Sequence, residues 1–561
     1  MAITAEPKPE SLRDETKRQD SGLTVAEFIV RQLAAWDVRR IYGVIGDANL
    51  YVLDALAKQN TIQYIACRHE AGAALMASAE AKLTGGLGVC LATSGPGIMN
   101  LLNGLADAAM DRTGVIAITG QVASGEIGTR AKQYIDQQRL MSAITDCTEM
   151  LVNAQTLPEL MKAALIAAKS EGKVAHLSIP RDLFSQRVPG AVVPYPEHLH
   201  QPLDPPRETV RKAVNMLADA EKPVLLLGRG AEGCAAETVM LAERLHAAVL
   251  TTLPARSLFP NDHPLYAGVL GQAGSDPAGA LLADSDLVVA VGATWWPDDF
   301  VPADAPVLQI DKAPAQIGRN GVLKLGIVGD VRRLLPQLLD GLAAATRGRG
   351  AWRDRVTRET GEWKKRIEQE AGLDGTPVPP QRVIQAVSKV IAPDAVVAVD
   401  TGDHTLWFGR IFQARQQQIL LSGRWRTLGF AIPAAIAARL ACPERQAVAI
   451  SGDGGAIQTF MEFCTAVQYN CPVVIIILNN GAYAMEKNRM EAGGLATLGS
   501  DLQNPDFSKV AQACGGLGYR ADSGAQLDDC LRQALRESSE LRKPAVIEVL
   551  TANAKVPHTK L

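Results

Sequence analysis

The chain has 561 residues, 47% hydrophobic and 21% charged, with a formal net charge of −3. This is an ordinary globular composition, and so small a net charge gives no bulk electrostatic case for binding nucleic acid or an anionic membrane. No stretch approaches the roughly 18 apolar residues of a membrane span, and nine scattered cysteines without a CxxC pair fit reduced thiols in the cytoplasm.

The length suggests roughly three or four domains. Residues 1–21 are charged and proline-containing, without the apolar core of a signal peptide, and are expected as a disordered tail. The first α/β unit is expected over 22–190, with strands Arg40–Ile45, Ile62–Cys67, Gly88–Thr93 and Val115–Thr119. Apolar spacing of three and four residues predicts a helix over Ala71–Leu83. A proline-punctuated linker leads to a central unit over 206–345, whose strand Pro223–Leu227 runs into the turn Gly228-Arg229-Gly230. Its later strands read Ala248–Thr252, Leu287–Val291 and Val307–Ile310. A charged helix over Trp352–Glu370 and a second linker near Pro377–Pro380 precede the third unit, 379–553. Repeated strand–helix alternation predicts an α/β protein of three doubly wound parallel sheets. The first and third units look alike, but the sequence shows no internal duplication.

Two stretches of the third unit carry the most chemistry. Gly452-Asp453-Gly454 follows the apolar run Ala447–Ile450, and Asn479-Asn480 follows Val473–Leu478. A helix-length segment, Ala456–Tyr469, lies between them, which reads as a right-handed parallel crossover. Asp453 and Asn480 then sit at the carboxyl ends of neighbouring strands, where open α/β sheets bind ligands. A carboxylate, an amide oxygen and glycine N–H groups suit a magnesium ion carrying a diphosphate. The loop has no Walker lysine, which argues against a nucleotide P-loop.

GDG followed by NN, with 27 residues from Asp453 to Asn480, resembles the motif of thiamine diphosphate-dependent enzymes. The resemblance extends over nearly the whole chain and is nearest to the pyruvate oxidase and acetohydroxyacid synthase group. It implies a pyrimidine-binding first domain, a central domain and a diphosphate-binding third domain. Magnesium would be held by Asp453, Asn480 and the backbone carbonyl of Ala482, with Gly452, Gly454, Gly455 and Tyr483 beside the cofactor. Arg68-His69-Glu70, by itself an ordinary acidic helix start, becomes the site of the carboxylate that leans on N1′ of the aminopyrimidine, so Glu70 is the candidate catalytic acid. Gly46 and Asp47 match the first cofactor-facing turn and Gly95 the SGPG turn. Gln121 falls in an ITGQV run at the substrate end. Gly402, Asp403 and His404 follow a strand and are expected to help hold the diphosphate, and Leu428 is expected to wedge between the two cofactor rings.

The same relatives bind FAD through the central unit. The matching positions are Gly228, Arg229, Gly230, Thr252, Leu253, Asp311 and Ile317, with Asp311 accepting from the adenosine ribose. The resemblance further implies a homodimer at minimum and a homotetramer as the expected form, because the Glu70 unit and the magnesium unit meet across subunits. The chain departs from the family in several places. Lys132-Gln133-Tyr134 replaces an FQE-like triplet, and Gly292-Ala293-Thr294-Trp295-Trp296 lacks the arginine of acetohydroxyacid synthases. Glu486, a candidate proton-handling group, and Arg489 follow the asparagines where an apolar stretch is usual; Arg489 or Lys132 could grip an anion. The last residues are mostly polar, so membrane binding of the kind used by the quinone-linked relatives is not expected.

The resulting expectation is thiamine diphosphate-dependent decarboxylation of a 2-oxo acid, pyruvate first, with oxidation of the enamine intermediate. An acetolactate synthase-like carboligase and a non-oxidative decarboxylase or lyase stay open. A regulator on an inactivated framework is disfavoured by the intact Glu70, Asp453 and Asn480 set. An NAD-dependent dehydrogenase is disfavoured by the missing G-x-G-x-x-G after the central unit's first strand.

Overall fold

The computed structural model describes residues 22–196, 202–272, 274–293, 300–319, 321–342 and 349–557. The expected tail 1–21 and the turn residues Thr294, Trp295 and Trp296 lie outside the described residues. Two compact units form, one through residue 199 and one from residue 200.

The first unit holds one six-stranded parallel sheet: β1 (Arg40–Gly43), β2 (Gln63–Ala66), β3 (Gly88–Ala92), β4 (Val115–Gln121), β5 (Cys147–Met150) and β6 (Val174–Pro180). Its strand order is β2-β1-β3-β4-β6-β5. Every residue of β3, β4 and β6 is buried, which explains why these strands read as unbroken apolar runs instead of alternating patterns. Two helices flank its candidate site residues: α1 (Glu70–Thr84), which begins one residue earlier than its apolar spacing suggests, and α2 (Pro96–Met110).

The second unit holds two more parallel sheets, each over its own apolar core. The central sheet comprises β7 (Pro223–Leu227), β8 (Ala248–Thr251), β9 (Tyr266–Val269), β10 (Leu287–Val291), β11 (Pro306–Asp311) and β12 (Val322–Val328). Its order, β12-β11-β10-β7-β8-β9, read from the other edge is the 3-2-1-4-5-6 order of dinucleotide-binding doubly wound sheets. The third comprises β13 (Val396–Val399), β14 (Gln418–Leu421), β15 (Ala447–Gly452), β16 (Val473–Asn479), β17 (Leu517–Ala521) and β18 (Ala545–Leu550). Its order, β14-β13-β15-β16-β18-β17, repeats that of the first sheet strand for strand. The likeness of the first and third units is therefore one of topology.

The site elements around the third sheet are α3 (Asp403–Ile411), α4 (Asp453–Thr459), α5 (Glu462–Gln468) and α6 (Ala484–Ala492). The single helix expected over Ala456–Tyr469 is thus two. At Phe460 and Met461 the ladder tightens: Phe463 N–H donates to Phe460 O at 2.8 Å and Cys464 N–H to Met461 O at 3.1 Å, both three residues back instead of four. Just before the break the Thr459 hydroxyl donates to Gly429 O, tying α4 to another loop.

Candidate functional site

In each sheet one chain reversal leaves a crevice where neighbouring strands depart in opposite directions, and such switch points collect ligands at the carboxyl ends of the strands. In the third sheet that point lies between β13 and β15. Val399 is level with Ile450, and Gly452 with Leu478, so the tips of β13, β15 and β16 stand side by side. Asp400 through His404 leave the first tip, Gly452 through Gly455 the second and Asn479 through Tyr483 the third.

The Asp453 side chain is 2% exposed. Its Oδ1 accepts from Gly454 N–H at 2.9 Å, and its Oδ2 from Gly481 N–H at 2.8 Å and Asn504 Nδ2 at 2.7 Å. Burial still pushes its carboxyl above the usual range against these donors. Asn504 Nδ2 also donates to Asn479 Oδ1 at 3.0 Å, while Asn479 Nδ2 donates to the buried Glu548 at 2.7 Å. Asn480 Oδ1 accepts from Ala482 N–H at 3.2 Å, which fixes the turn carrying Ala482 and Tyr483. The Tyr483 ring lies against the GDG turn so closely that a Cβ on Gly454 would stand 2.4 Å from its Cε1. The structure therefore brings Asp453, Asn480, Ala482 and Tyr483 together around one turn.

His404 is buried, and its Nε2 has no hydrogen-bond partner among the described residues. Burial lowers its pKa to about 4, so near neutrality the ring is uncharged. The imidazole lies where side chains on Gly402 and Gly452 would go, 2.8 and 3.0 Å from their ideal Cβ positions. The Asp403 carboxyl is pushed up to about 6, first by burial, with the Glu486 charge adding to it. A carboxylate is a poor partner for a diphosphate, so Asp403 can help only through its place in the first turn of α3, where backbone N–H groups attract anions. Glu486 itself is exposed at the start of α6.

Asp400 organises the crevice and escapes sequence reasoning, since no spacing marks it. It is 1% exposed. Its Oδ1 accepts from Thr401 N–H at 2.8 Å, Gly429 N–H at 2.9 Å and Phe430 N–H at 3.3 Å, and its Oδ2 from the Ser451 hydroxyl at 2.9 Å. The loop presenting Leu428 is thereby fastened to the tips of β13 and β15. Burial dominates and raises the Asp400 pKa from 3.8 to about 6. The folded state then binds this proton more tightly than the unfolded chain, so Asp400 makes stability fall as pH rises from about 4 to 6. Thermal midpoints measured over that interval should show the decline, and Asp400→Asn should remove this component; equal slopes for the two proteins would refute the assignment.

In the first unit the switch point lies between β1 and β3. The turns carrying Gly46 and Gly95 meet there: a Cβ on Gly46 would stand 2.4 Å from Thr93 Cβ. Asp47 turns to the surface and pairs with Arg181 at 2.9 Å. Gln121, expected at the substrate end, is 1% exposed, and both ends of its amide are engaged by backbone: Nε2 donates to Ile135 O and Oε1 accepts from Val122 N–H, each at 2.9 Å. Glu70 opens α1, is 8% exposed, and accepts from Asn100 Nδ2 of α2 at 2.9 Å. Lys132 is exposed.

In the central sheet the switch point lies between β7 and β10. Gly228 N–H donates to Val291 O at 3.0 Å and Gly230 N–H to Gly292 O at 3.1 Å. A Cβ on Gly228 would stand 2.3 Å from Gly292 O, so only glycine allows this approach. Arg229 between them is exposed. Asp311 is buried at the tip of β11 and accepts from Ala313 N–H at 2.8 Å. Thr252 follows β8, Leu253 packs against the third sheet's core, and Ile317 closes a turn clamped by the Gln309 amide.

One carboxylate, one amide oxygen and a backbone carbonyl are hard oxygen donors, and the side-chain-free cradle at Gly402 and Gly452 leaves the unpartnered His404 Nε2 open to a ligand. This set fits a magnesium-bound diphosphate.

Comparison with known families and proteins points to thiamine pyrophosphate as the diphosphate. The thiamine pyrophosphate enzyme N-terminal TPP binding domain matches residues 23–140, the central domain 210–338 and the C-terminal TPP binding domain 400–549. A putative thiamine pyrophosphate-containing protein of Bacillus subtilis is 34% identical over 94% of this chain and 92% of its own length. An acetolactate synthase of Mycobacterium leprae is 34% identical over 95% of this chain and 88% of its own. A pyruvate oxidase of Lactiplantibacillus plantarum is 30% identical over 97% and 91% respectively.

Proposed function

Because this chain belongs to the thiamine pyrophosphate enzyme family, in its pyruvate oxidase and acetolactate synthase group, we propose that it decarboxylates a 2-oxo acid and passes the released electron pair to FAD held by the central sheet. The observation that carries the oxidative part is the central sheet's dinucleotide-type strand order, with the Gly228–Gly230 turn at its switch point and Asp311 at the neighbouring tip. When bound, thiamine diphosphate supplies an electron sink for loss of carbon dioxide, and FAD a two-electron acceptor.

The chain's own residues do the rest. Asp453, Asn480 and the Ala482 carbonyl would hold magnesium. His404 and the first N–H groups of α3 would hold the diphosphate, with Gly452, Gly454, Gly455 and Tyr483 shaping the cradle. Leu428, on the loop fastened by Asp400, would set the cofactor's shape. Glu70 would hold and return one proton at its carboxyl. Gly228, Gly230, Thr252, Leu253, Asp311 and Ile317 would receive FAD. The same reading makes the working form at least a homodimer, a homotetramer in the expected case, in the cytoplasm.

Carboligation is the second reading, favoured by relatives that are named acetolactate synthase. The test is anaerobic addition of pyruvate to the purified protein. Oxidation predicts that flavin absorbance bleaches and carbon dioxide appears without acetolactate. Acetolactate with an unbleached flavin would reverse the order of the two readings. Gly228→Ala should purify without FAD while still binding thiamine diphosphate; retention of flavin by that variant would remove the argument from the central sheet.

A further inference from the structure

Glu548 is 1% exposed, yet it stands in β18 between Ile547 and Val549, in a strand that is otherwise apolar from Ala545 to Leu550. Taking a carboxylate out of water is costly, and an apolar side chain of similar volume in such a place is often as stable or more so. The ion pair offered in return is a loose one. Glu548 Oε2 stands 3.8 Å from Arg520 Nη1, beyond hydrogen-bond reach, and that half-exposed guanidinium lies closer to Asp506, at 2.8 Å. Nor is the acid needed to pair the strands. β16 and β18 are in register from Val474 with Ala545 to Asn479 with Leu550, and Thr551 N–H then donates to Asn479 O at 2.9 Å.

The other carboxylate oxygen faces the metal site. Glu548 Oε1 accepts from Asn479 Nδ2 at 2.7 Å. Turned this way, the Asn479 amide offers its Oδ1 to Gly481 N–H at 3.2 Å and to Asn504 Nδ2 at 3.0 Å. The same two donors reach Asp453 Oδ2, Gly481 N–H at 2.8 Å and Asn504 Nδ2 at 2.7 Å. Three side chains in sequence, Glu548, Asn479 and Asn504, thus lead from a buried acid to the carboxylate assigned to magnesium. Each step has one polarity. A carboxylate oxygen accepts, so the Asn479 amide turns its NH2 to Glu548 and its oxygen to the two donors. Were Asn479 turned over, its NH2 would face Gly481 N–H and Asn504 Nδ2, donor against donor, and the groups that hold Asp453 Oδ2 would be driven from their places.

We propose that Glu548 is a positioning residue for the magnesium site: by holding the Asn479 amide in one orientation, it keeps Asn504 and Gly481 N–H on Asp453 Oδ2 and so fixes the carboxylate that receives the dication. This rests on the reading of Asp453 as a magnesium ligand. Glu548 itself touches neither metal nor substrate and acts through the two asparagines.

The test is calorimetric titration of the full chain with thiamine diphosphate over a series of magnesium concentrations, for the parent, Glu548→Gln, Asn504→Ala and the double variant. Glutamine keeps the volume of Glu548 but can present either an oxygen or an NH2 to Asn479, so it no longer enforces the orientation. The half-saturating magnesium concentration should rise about 10- to 100-fold in Glu548→Gln, the range for partners that orient metal ligands. Asn504→Ala should behave alike. The double variant should be little worse than the weaker single one, because both substitutions break the same chain and their effects are then not additive. A purely structural role for Glu548 would instead multiply the two losses, and that result overturns the proposal. If Glu548→Gln does not fold, Glu548→Asp takes its place with the same outcomes, since it keeps the charge and withdraws the carboxylate from Asn479 by one methylene. A parent without magnesium-dependent binding sinks the metal assignment and this proposal with it. A parent that binds normally while Glu548→Gln matches it sinks the proposal alone.

Discussion

Glu70→Gln should lower turnover by about 10²- to 10⁴-fold at saturating cofactor, the range for removal of a positioned acid–base group. The expectation rests on what this substitution leaves in place. Glu70 is 8% exposed and, among the described residues, accepts one hydrogen bond, 2.9 Å from Asn100 Nδ2. Glutamine can accept the same bond through its amide oxygen and occupies nearly the same volume. The structural loss is then the favourable placement of a negative charge in the first turn of α1, about 0.3–1 kcal/mol. A hundredfold loss of rate already corresponds to about 2.7 kcal/mol, so the chemical effect should exceed the structural one. The variant should melt within a few degrees of the parent and bind thiamine diphosphate with magnesium at comparable affinity, yet release almost no carbon dioxide. A variant that keeps a tenth or more of the parent turnover would remove Glu70 from the mechanism.

What the sequence disclosed and what it withheld have separate physical causes. Strands such as Pro223–Leu227 and Leu287–Val291 fall on their expected limits because fully buried parallel strands must be apolar from end to end. β1 stops at Gly43, two residues short of the Ile45 expected, because Val44 and Ile45 continue the apolar run into a turn: the Asn49 side chain accepts from Gly46 N–H and donates to Val44 O, taking the place of a neighbouring strand. The Asp453–Asn480 pairing was legible because a crossover of ordinary length brings two strand tips together. Glu70 was singled out only through family resemblance; its own surroundings are those of many capped helices. The roles of Asp400 and Asn504 were invisible for a different reason. Each acts by tying loops that are far apart in the chain, and no spacing rule reports a hydrogen bond across 51 residues such as that from Asn504 to Asp453. For Gln121 the sequence does not report the backbone partners, Ile135 O and Val122 N–H, that hold its amide. The central sheet's strand order was equally hidden, because alternation of strands and helices does not say on which edge the next strand adds.

Asp453→Asn should abolish magnesium-dependent binding of thiamine diphosphate at working concentrations, with affinity falling by more than about 100-fold. The lower bound comes from the next layer outward: replacing partners that orient metal ligands typically costs 10- to 100-fold, and Asp453 is the one carboxylate in the proposed donor set. The substitution also disturbs the turn itself. Three donors converge on the two carboxylate oxygens, from Gly454 N–H, Gly481 N–H and Asn504 Nδ2. An asparagine offers one acceptor oxygen, and its amide group must face a donor on the other side, at about 1–3 kcal/mol for each buried group left unsatisfied. The melting temperature should therefore fall in the cofactor-free protein as well. Asn504→Ala separates the two effects. It removes one donor and keeps the charge, so it should weaken binding by about 10- to 100-fold, which places it between the parent and Asp453→Asn. Calorimetric titration of all three proteins with thiamine diphosphate, with and without magnesium, gives the order directly. If Asp453→Asn binds as tightly as the parent, or if magnesium makes no difference to the parent, the dication does not sit on these strand tips, and the assignment of Asp453, Asn480 and Ala482 falls with it.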